Sequence, residues 1–378
     1  MPTAAAPDTL AAVVTTDCNL RCSYCFQDRK QRLHMSWPTM SAAIELLLGS
    51  RRRRTSLSFL GGEPLLAFPL IVRAVARANR RQGPRRRIQY ALTTNGLLLT
   101  PRRMAFLERH RFNLQISLDG IEPAQALRSA TSFAILDRLL DHLARHHRTY
   151  FRRRVSVAAT VTAPVIPCLA ESFDYLLARG VRQIGITAAM GHGRLSKAQV
   201  SELDRQFGRV FDQSLRHYRT TGEVPLTLFQ KRAPDPRTPD EDECACAAGV
   251  GNNLTVDVDG EVYPCALLIR SCQTVARPAL ARRLAAMSLG PVADRPGLTE
   301  RLAQLPAAAR AAGIFGPQSR KRSSLARCAA CRYAAACFVC PIACAKNPDS
   351  ADANRIPDFQ CAFNRIVAEY RRRFPIQH

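Results

Sequence analysis

One pattern limits what this chain can fold into. A short apolar run, a loop carrying Gly, Asp or Thr, and a stretch with helical apolar spacing recur six times in the first half. The apolar runs are Leu10–Thr16 (LAAVVTT), Leu57–Gly62, Ile88–Gly96, Leu114–Gly120, Val155–Thr162 and Gln183–Met190. Strands that are apolar throughout and alternate with amphipathic helices specify a parallel sheet covered by helices. Six units fall short of a closed eight-stranded barrel, so the expected fold class is α/β, a partial (β/α)6 TIM-like barrel followed by a small cysteine-rich region. In such sheets the chemistry gathers at the C-terminal ends of the strands.

Those ends carry unusual residues. Cys18 follows the first run and opens CNLRCSYC, with Cys22 and Cys25 close behind. Gly61, Gly62, Glu63 and Pro64 follow the second, Asn95 ends the third, and Ser117 and Asp119 end the fourth. The chain has 14 cysteines, and apart from Cys168 the rest fall at or beyond residue 244. The N-terminus lacks the basic-then-apolar plan of a signal peptide and no long apolar span occurs, so a cytoplasmic location is expected, with no membrane segment. A reducing compartment keeps thiols reduced, and clustered thiols there point to metal. The net charge is +25, but arginine comes in blocks (51–54, 85–87, 152–154, 371–373) at expected helix ends or strand starts. That reads as a solvated rim suited to an acidic partner rather than a nucleic-acid site.

Three thiols without a fourth do not make a structural zinc site, which is closed by four ligands. On a [4Fe–4S] cluster they leave one iron open to a cofactor or substrate. CxxxCxxC after the first strand of a βα barrel, with GGEP after the second, resembles the radical S-adenosylmethionine (SAM) superfamily over roughly residues 10–190. The resemblance implies that Cys18, Cys22 and Cys25 hold a cluster whose open iron chelates SAM, and that reductive cleavage yields a 5′-deoxyadenosyl radical. It implies SAM contacts from Tyr24, Gly61, Gly62, Glu63, Asn95, Ser117, Asp119, Arg128 and Ile186. Glu63 would complement the SAM amino group and Arg128 a carboxylate. For Arg128, surface solvation is the competing reading, and for Ile186, core packing.

The second cysteine field resembles the SPASM extension of radical SAM peptide-modifying enzymes. Cys246–Cys265 ends in Gly260-x4-Cys265, inside VDVDGEVYPC, which reads as a β-hairpin with an Asp-Gly turn. By this resemblance one auxiliary [4Fe–4S] cluster uses Cys328, Cys331, Cys337 and Cys361. The other uses Cys265, Cys340 and one or both of Cys244 and Cys246. Cys337 and Cys340 enclose two residues where the family has three, so Cys344 competes with Cys340. A zinc ribbon on the two CxxC pairs is the bland alternative. Sulfatase-maturing relatives carry an aspartate just after the Gly-x4-Cys cysteine, and here that position is Ala266.

The expected domains are a barrel over 1–220, a Pro- and Asp-rich linker over 221–243 and an auxiliary domain over 244–378 with an Ala/Arg-rich insertion at about 273–327. The expected function is a radical SAM oxidoreductase of maturase type, with SAM and three [4Fe–4S] clusters, that installs a thioether, C–C or C–O crosslink in a ribosomal peptide. Peptide epimerisation or dehydrogenation, sulfatase-type oxidation, small-molecule dehydrogenation and an electron-transfer scaffold are the alternatives. Partners would be a peptide with an acidic leader and a flavodoxin- or ferredoxin-type reductant. Nine residues precede the first strand, too few for a leader-binding domain, so either a separate recognition protein or direct grip of an acidic leader by the basic rim is expected to serve.

Overall fold

The computed structural model describes residues 6–27, 31–84, 86–191, 193–230, 246, 248, 253–273, 277–315, 318–334, 337, 339–375. Cys244 and most of the expected linker (231–243) lie outside them. All six expected strands form: β1 (Thr9–Thr15), β2 (Arg54–Gly61), β3 (Arg87–Thr94), β4 (Asn113–Ser117), β5 (Val155–Val161) and β6 (Ile184–Ala188). The helices α1 (Trp37–Leu48), α2 (Phe68–Arg81), α3 (Pro101–Arg109), α4 (Glu122–Gln125), α5 (Ser132–His146), α6 (Arg148–Arg154), α7 (Leu169–Ala178) and α8 (Lys197–Thr221) alternate with them or follow. This is a mixed α/β fold on an open parallel sheet, with a cysteine-rich C-terminal region. No helix among the described residues is long and apolar enough to cross a membrane.

The chain divides into two compact units. One comprises Met1–Leu20, Cys25–Leu114 and Cys246–Phe315, the other Arg21–Tyr24, Gln115–Ala245 and Gly316–His378. In the first unit β1 is buried almost throughout, which is why Leu10, Ala12, Val13 and Val14 are all apolar. It runs parallel to β2, which runs parallel to β3. Phe59, Tyr90 and Phe112 stack beneath, with centroids 5.3 to 6.0 Å apart. On the other side of β1 lies β7 (Asn253–Val256), parallel, with Leu10 opposite Leu254. β7 pairs antiparallel with β8 (Val262–Tyr263) through a turn in which Gly260, at φ +91°, donates its N–H to the Asp257 carbonyl. The expected hairpin is therefore present, and it leads straight to Cys265. Two helices, α9 (Pro278–Ala285) and α10 (Arg295–Ala311), form within the Ala/Arg-rich stretch.

In the second unit β5 and β6 run parallel, with Ala159 opposite Ile186, and Leu118 just past β4 donates to the Ala158 carbonyl at 3.1 Å. α8 starts at a capping box: Ser196 Oγ accepts from the Gln199 N–H, and Gln199 Oε1 accepts from the Ser196 N–H. It stops at Gly222, φ +72°. The C-terminal helices α11 (Pro341–Ala345) and α12 (Asp358–Arg373) follow the cysteine field. α12 joins α8 through aromatic edges, with Phe363 5.3 Å from Phe207. Of the arginine blocks, 152–154 and 371–373 fall in the last turns of α6 and α12, and Arg54 and Arg87 open β2 and β3, where the sequence suggested.

Candidate active site

In the first unit the ends of β1, β2 and β3 are bonded into one frame. The Gly62 N–H donates to the Thr15 carbonyl at 2.9 Å and the Glu63 N–H to the Asp17 carbonyl at 2.8 Å. A methyl group on Gly62 would lie 2.2 Å from the Asp17 oxygen and 2.9 Å from Cys18 Cβ, so only glycine lets the two loops approach this closely. Gln27 Nε2 closes the loop by donating to the Gly61 carbonyl at 2.9 Å. Just beyond β1, the Cys18 N–H donates to Asp17 Oδ1 at 2.9 Å, and Cys18 Sγ accepts from the Leu20 N–H at 3.4 Å.

Glu63 is wholly buried and every donor around it belongs to the frame. Its Oε1 accepts from Thr94 Oγ1 (2.7 Å) and the Leu65 N–H (3.0 Å), and its Oε2 accepts from the Asn95 N–H (2.8 Å). Burial nevertheless pushes its carboxyl above the ordinary range, because three neutral donors only partly replace water. A cation at this place would therefore be welcome. Asn95 donates its amide to Asn19 Oδ1 at 2.7 Å and accepts from the Leu97 N–H, tying the β3 end to the cysteine loop. Asn19 and Thr94 were not singled out by sequence reasoning; their signal was adjacency to CNLRC and to Asn95.

The second unit holds another buried cluster. Asp119 Oδ2 accepts from Arg128 Nε at 3.0 Å and from the Tyr24 hydroxyl. Its Oδ1 accepts from Arg128 at 2.9 Å and from the Thr160 N–H at 2.8 Å. The side chains of Asp119 and Arg128 are 1% and 11% exposed, so this is a buried bidentate pair. The guanidinium also lies 5.3 Å from the centre of the Tyr24 ring. Burial, the Asp119 charge and the hydrogen bond raise the Tyr24 phenol, which stays protonated. Asp119 and its hydrogen bonds raise Arg128 further, against the pull of burial. The Cys22 thiol is near enough to act on both groups. Arg128 is thus not a solvated surface residue; the carboxylate it holds is that of Asp119. Ser117 is half-buried at the end of β4, and Ile186 is buried on β6.

Four of the later thiols come together, also in the second unit. Cys328, Cys344 and Cys361 are buried with Val339 and Ile356, and Cys337 packs against them. Burial, helped by the neighbouring Cys337, Cys361 and Cys331, pushes the Cys328 thiol up to about 11. Burial also raises Cys337 and Cys361, each in the field of Cys331. Asn364 Nδ2 donates to Cys337 Sγ at 3.4 Å. So Cys328, Cys331, Cys337 and Cys361 act on one another, whereas Cys344 lies in the apolar floor. Among the described residues no three His, Cys, Asp or Glu side chains close around a single metal ion. Thiolates on different irons of a cubane stand farther apart than the ligands of one ion, and four thiols with an amide donor on sulfur is the donor chemistry such a cluster takes. In the first unit, Cys265 Sγ accepts from the Leu267 N–H at 3.4 Å, and Ala266 begins the next turn with no carboxylate.

Comparison with known proteins bears on these sites. Residues 12–165 match the model of the radical SAM superfamily. The uncharacterized protein MJ0907 of Methanocaldococcus jannaschii is 27% identical over 260 residues, 68% of this chain and 83% of that one. The serine-type anaerobic sulfatase-maturating enzyme of Klebsiella aerogenes is 25% identical over 268 residues, and the match spans 65% of its length. Among solved structures, native anSMEcpe with bound AdoMet and Kp18Cys peptide superposes with a TM-score of 0.71 over 96% of both chains at 17% identity. At that identity the likeness is one of fold.

Proposed function

From the premise that the chain carries a radical SAM domain over residues 12–165, and so is a radical SAM enzyme, we propose that it oxidatively modifies a peptide, joining two of its atoms in a thioether, C–C or C–O bond. The observation that carries the SAM reading is the frame at the strand ends of the first unit. There Cys18 leaves β1 against Gly62, and Glu63 sits buried with a raised carboxyl. In this reading Cys18, Cys22 and Cys25 hold the cluster, and Gly61, Gly62 and Glu63 receive the SAM ammonium. A reduced cluster of this kind supplies the electron that splits SAM and provides the hydrogen-abstracting radical.

The chain's own residues do the positioning. The glycines let the loops after β1 and β2 close on one another, and Glu63 would offer a carboxylate that three donors keep in one orientation. Asn95 ties the cysteine loop to β3 through Asn19. Arg128 and Asp119 fix Tyr24, and with it the last part of CNLRCSYC. The peptide class is supported by the sulfatase-maturating relative and by the fold of the peptide-bound anSMEcpe. Crosslinking is preferred to formylglycine formation because Ala266 leaves no carboxylate beside Cys265 to take a proton. After hydrogen abstraction, closing the crosslink would release one electron and a proton, and iron–sulfur clusters held by the auxiliary thiols would accept that electron.

The test is anaerobic turnover with SAM, a strong reductant and the short peptide encoded nearest the gene. The expected product has lost two hydrogens and 5′-deoxyadenosine accumulates; an unchanged mass with an inverted residue would replace crosslinking by epimerisation. Cys22→Ala is expected to remove all 5′-deoxyadenosine, and turnover surviving it would end the SAM assignment.

A further inference from the structure

The four-thiol pocket has a neighbour that the sequence did not single out. Lys321 is 2% exposed, deep for a lysine. Among the described residues no carboxylate pairs with its ammonium. A buried ammonium needs a counter-charge. Its place is set by the backbone: the Lys321 carbonyl accepts from the Cys328 N–H at 3.0 Å, and the Ser323 N–H donates to the Ala326 carbonyl at 2.8 Å, so 321–328 folds back on itself. The ammonium lies within electrostatic reach of Cys328 and Cys337. Two further charges, of opposite sign, lie by the fourth thiol of the set. Arg365 and Asp358 act on Cys361, with Arg365 donating to the Leu325 carbonyl and Asp358 accepting from Ser324.

We propose that Lys321 is a buried counter-charge of an anionic iron–sulfur cluster held by Cys328, Cys331, Cys337 and Cys361, and that it raises the reduction potential of that cluster. This rests on the auxiliary-cluster reading of those cysteines. One-electron reduction by a flavodoxin- or ferredoxin-type donor adds a negative charge to the cluster, and a fixed cation favours the reduced form. Asn364, donating to Cys337, acts in the same direction with a smaller, neutral dipole.

The test uses the full-length chain with Cys18, Cys22 and Cys25 replaced by Ala, loaded anaerobically and titrated electrochemically with paramagnetic resonance as the readout. The signal lost on adding Cys331→Ala is assigned to this cluster. Lys321→Met is expected to lower its potential by at least a tenfold change in the reduced-to-oxidised ratio, about 59 mV for one electron. Lys321→Arg is expected to stay near the parent value. Failure of Lys321→Met and Lys321→Gln to take up iron, with Lys321→Arg loading normally, supports the proposal as well. An unmoved potential in a loaded Lys321→Met, or equal loss of iron in all three variants, overturns it. If Cys331→Ala removes neither iron nor signal, the auxiliary-cluster reading itself falls, a result separate from any behaviour of the lysine variants.

Discussion

Around Glu63 the backbone does the holding. Strand ends β1, β2 and β3 bring main-chain N–H groups to a carboxylate, and a glycine lets the loops close. Around Cys328 it is side chains that meet one another, in a stretch built of short turns between Lys321 and α12. A frame of strand ends stands without a ligand. A pocket of buried thiols with raised proton affinities is completed by whatever draws the protons off.

That contrast can be broken or sharpened by experiment. The largest effect is expected from iron removal: anaerobic chelation should raise amide exchange in 321–364 by orders of magnitude while 54–95 keeps its protection, and equal changes in both would erase the distinction. Next, Asp119→Ala leaves the buried Arg128 charge without its partner, a loss of about 3–5 kcal/mol in denaturant unfolding; a cost under 1 kcal/mol would mean that Arg128 reaches water. Gly62→Ala should cost about 1–3 kcal/mol and weaken SAM binding in equilibrium dialysis, since its methyl meets the Asp17 carbonyl; unaltered binding would detach that loop from the ligand. Tyr24→Phe removes one hydrogen bond to Asp119, about 1 kcal/mol by the same unfolding assay.

The smallest effect is one of pH. The Glu63 carboxyl titrates higher folded than unfolded, where it lies near 4.5. The folded state therefore binds more protons between the two values, and stability contributed by this group falls as pH rises through that window. Against Glu63→Gln, which cannot titrate, the wild-type chain should lose relative stability as pH climbs above 4.5 and then level off. A difference that does not vary with pH would show that burial does not hold the proton.

Much of this was readable before folding was considered. The six strands were visible as apolar runs. CNLRCSYC and GGEP lay at strand ends because that is where loops begin. Arg128 was expected either to contact SAM or to be solvated at the surface; the carboxylate it meets is that of Asp119, nine residues away, a partner the sequence did not point to. Tyr24 meeting Asp119, and Asn95 meeting Asn19, span 95 and 76 residues and depend on strand order. Lys321 carried no signal at all, since most lysines lie at the surface and only packing reveals the exception.

β1 pairs with β2 on one side and, about 240 residues later in the chain, with β7 on the other. On the ribosome that second side stays an open sheet edge until Leu254 and Val256 emerge, roughly 12–50 s after β1 at ordinary elongation rates. For that interval Leu10 and Ala12 present unsatisfied amides and carbonyls to any passing strand. The hairpin that delivers Cys265 is also the last strand pair to complete this sheet, so solubility during synthesis and arrival of the later cysteines are set by one slow, long-range pairing.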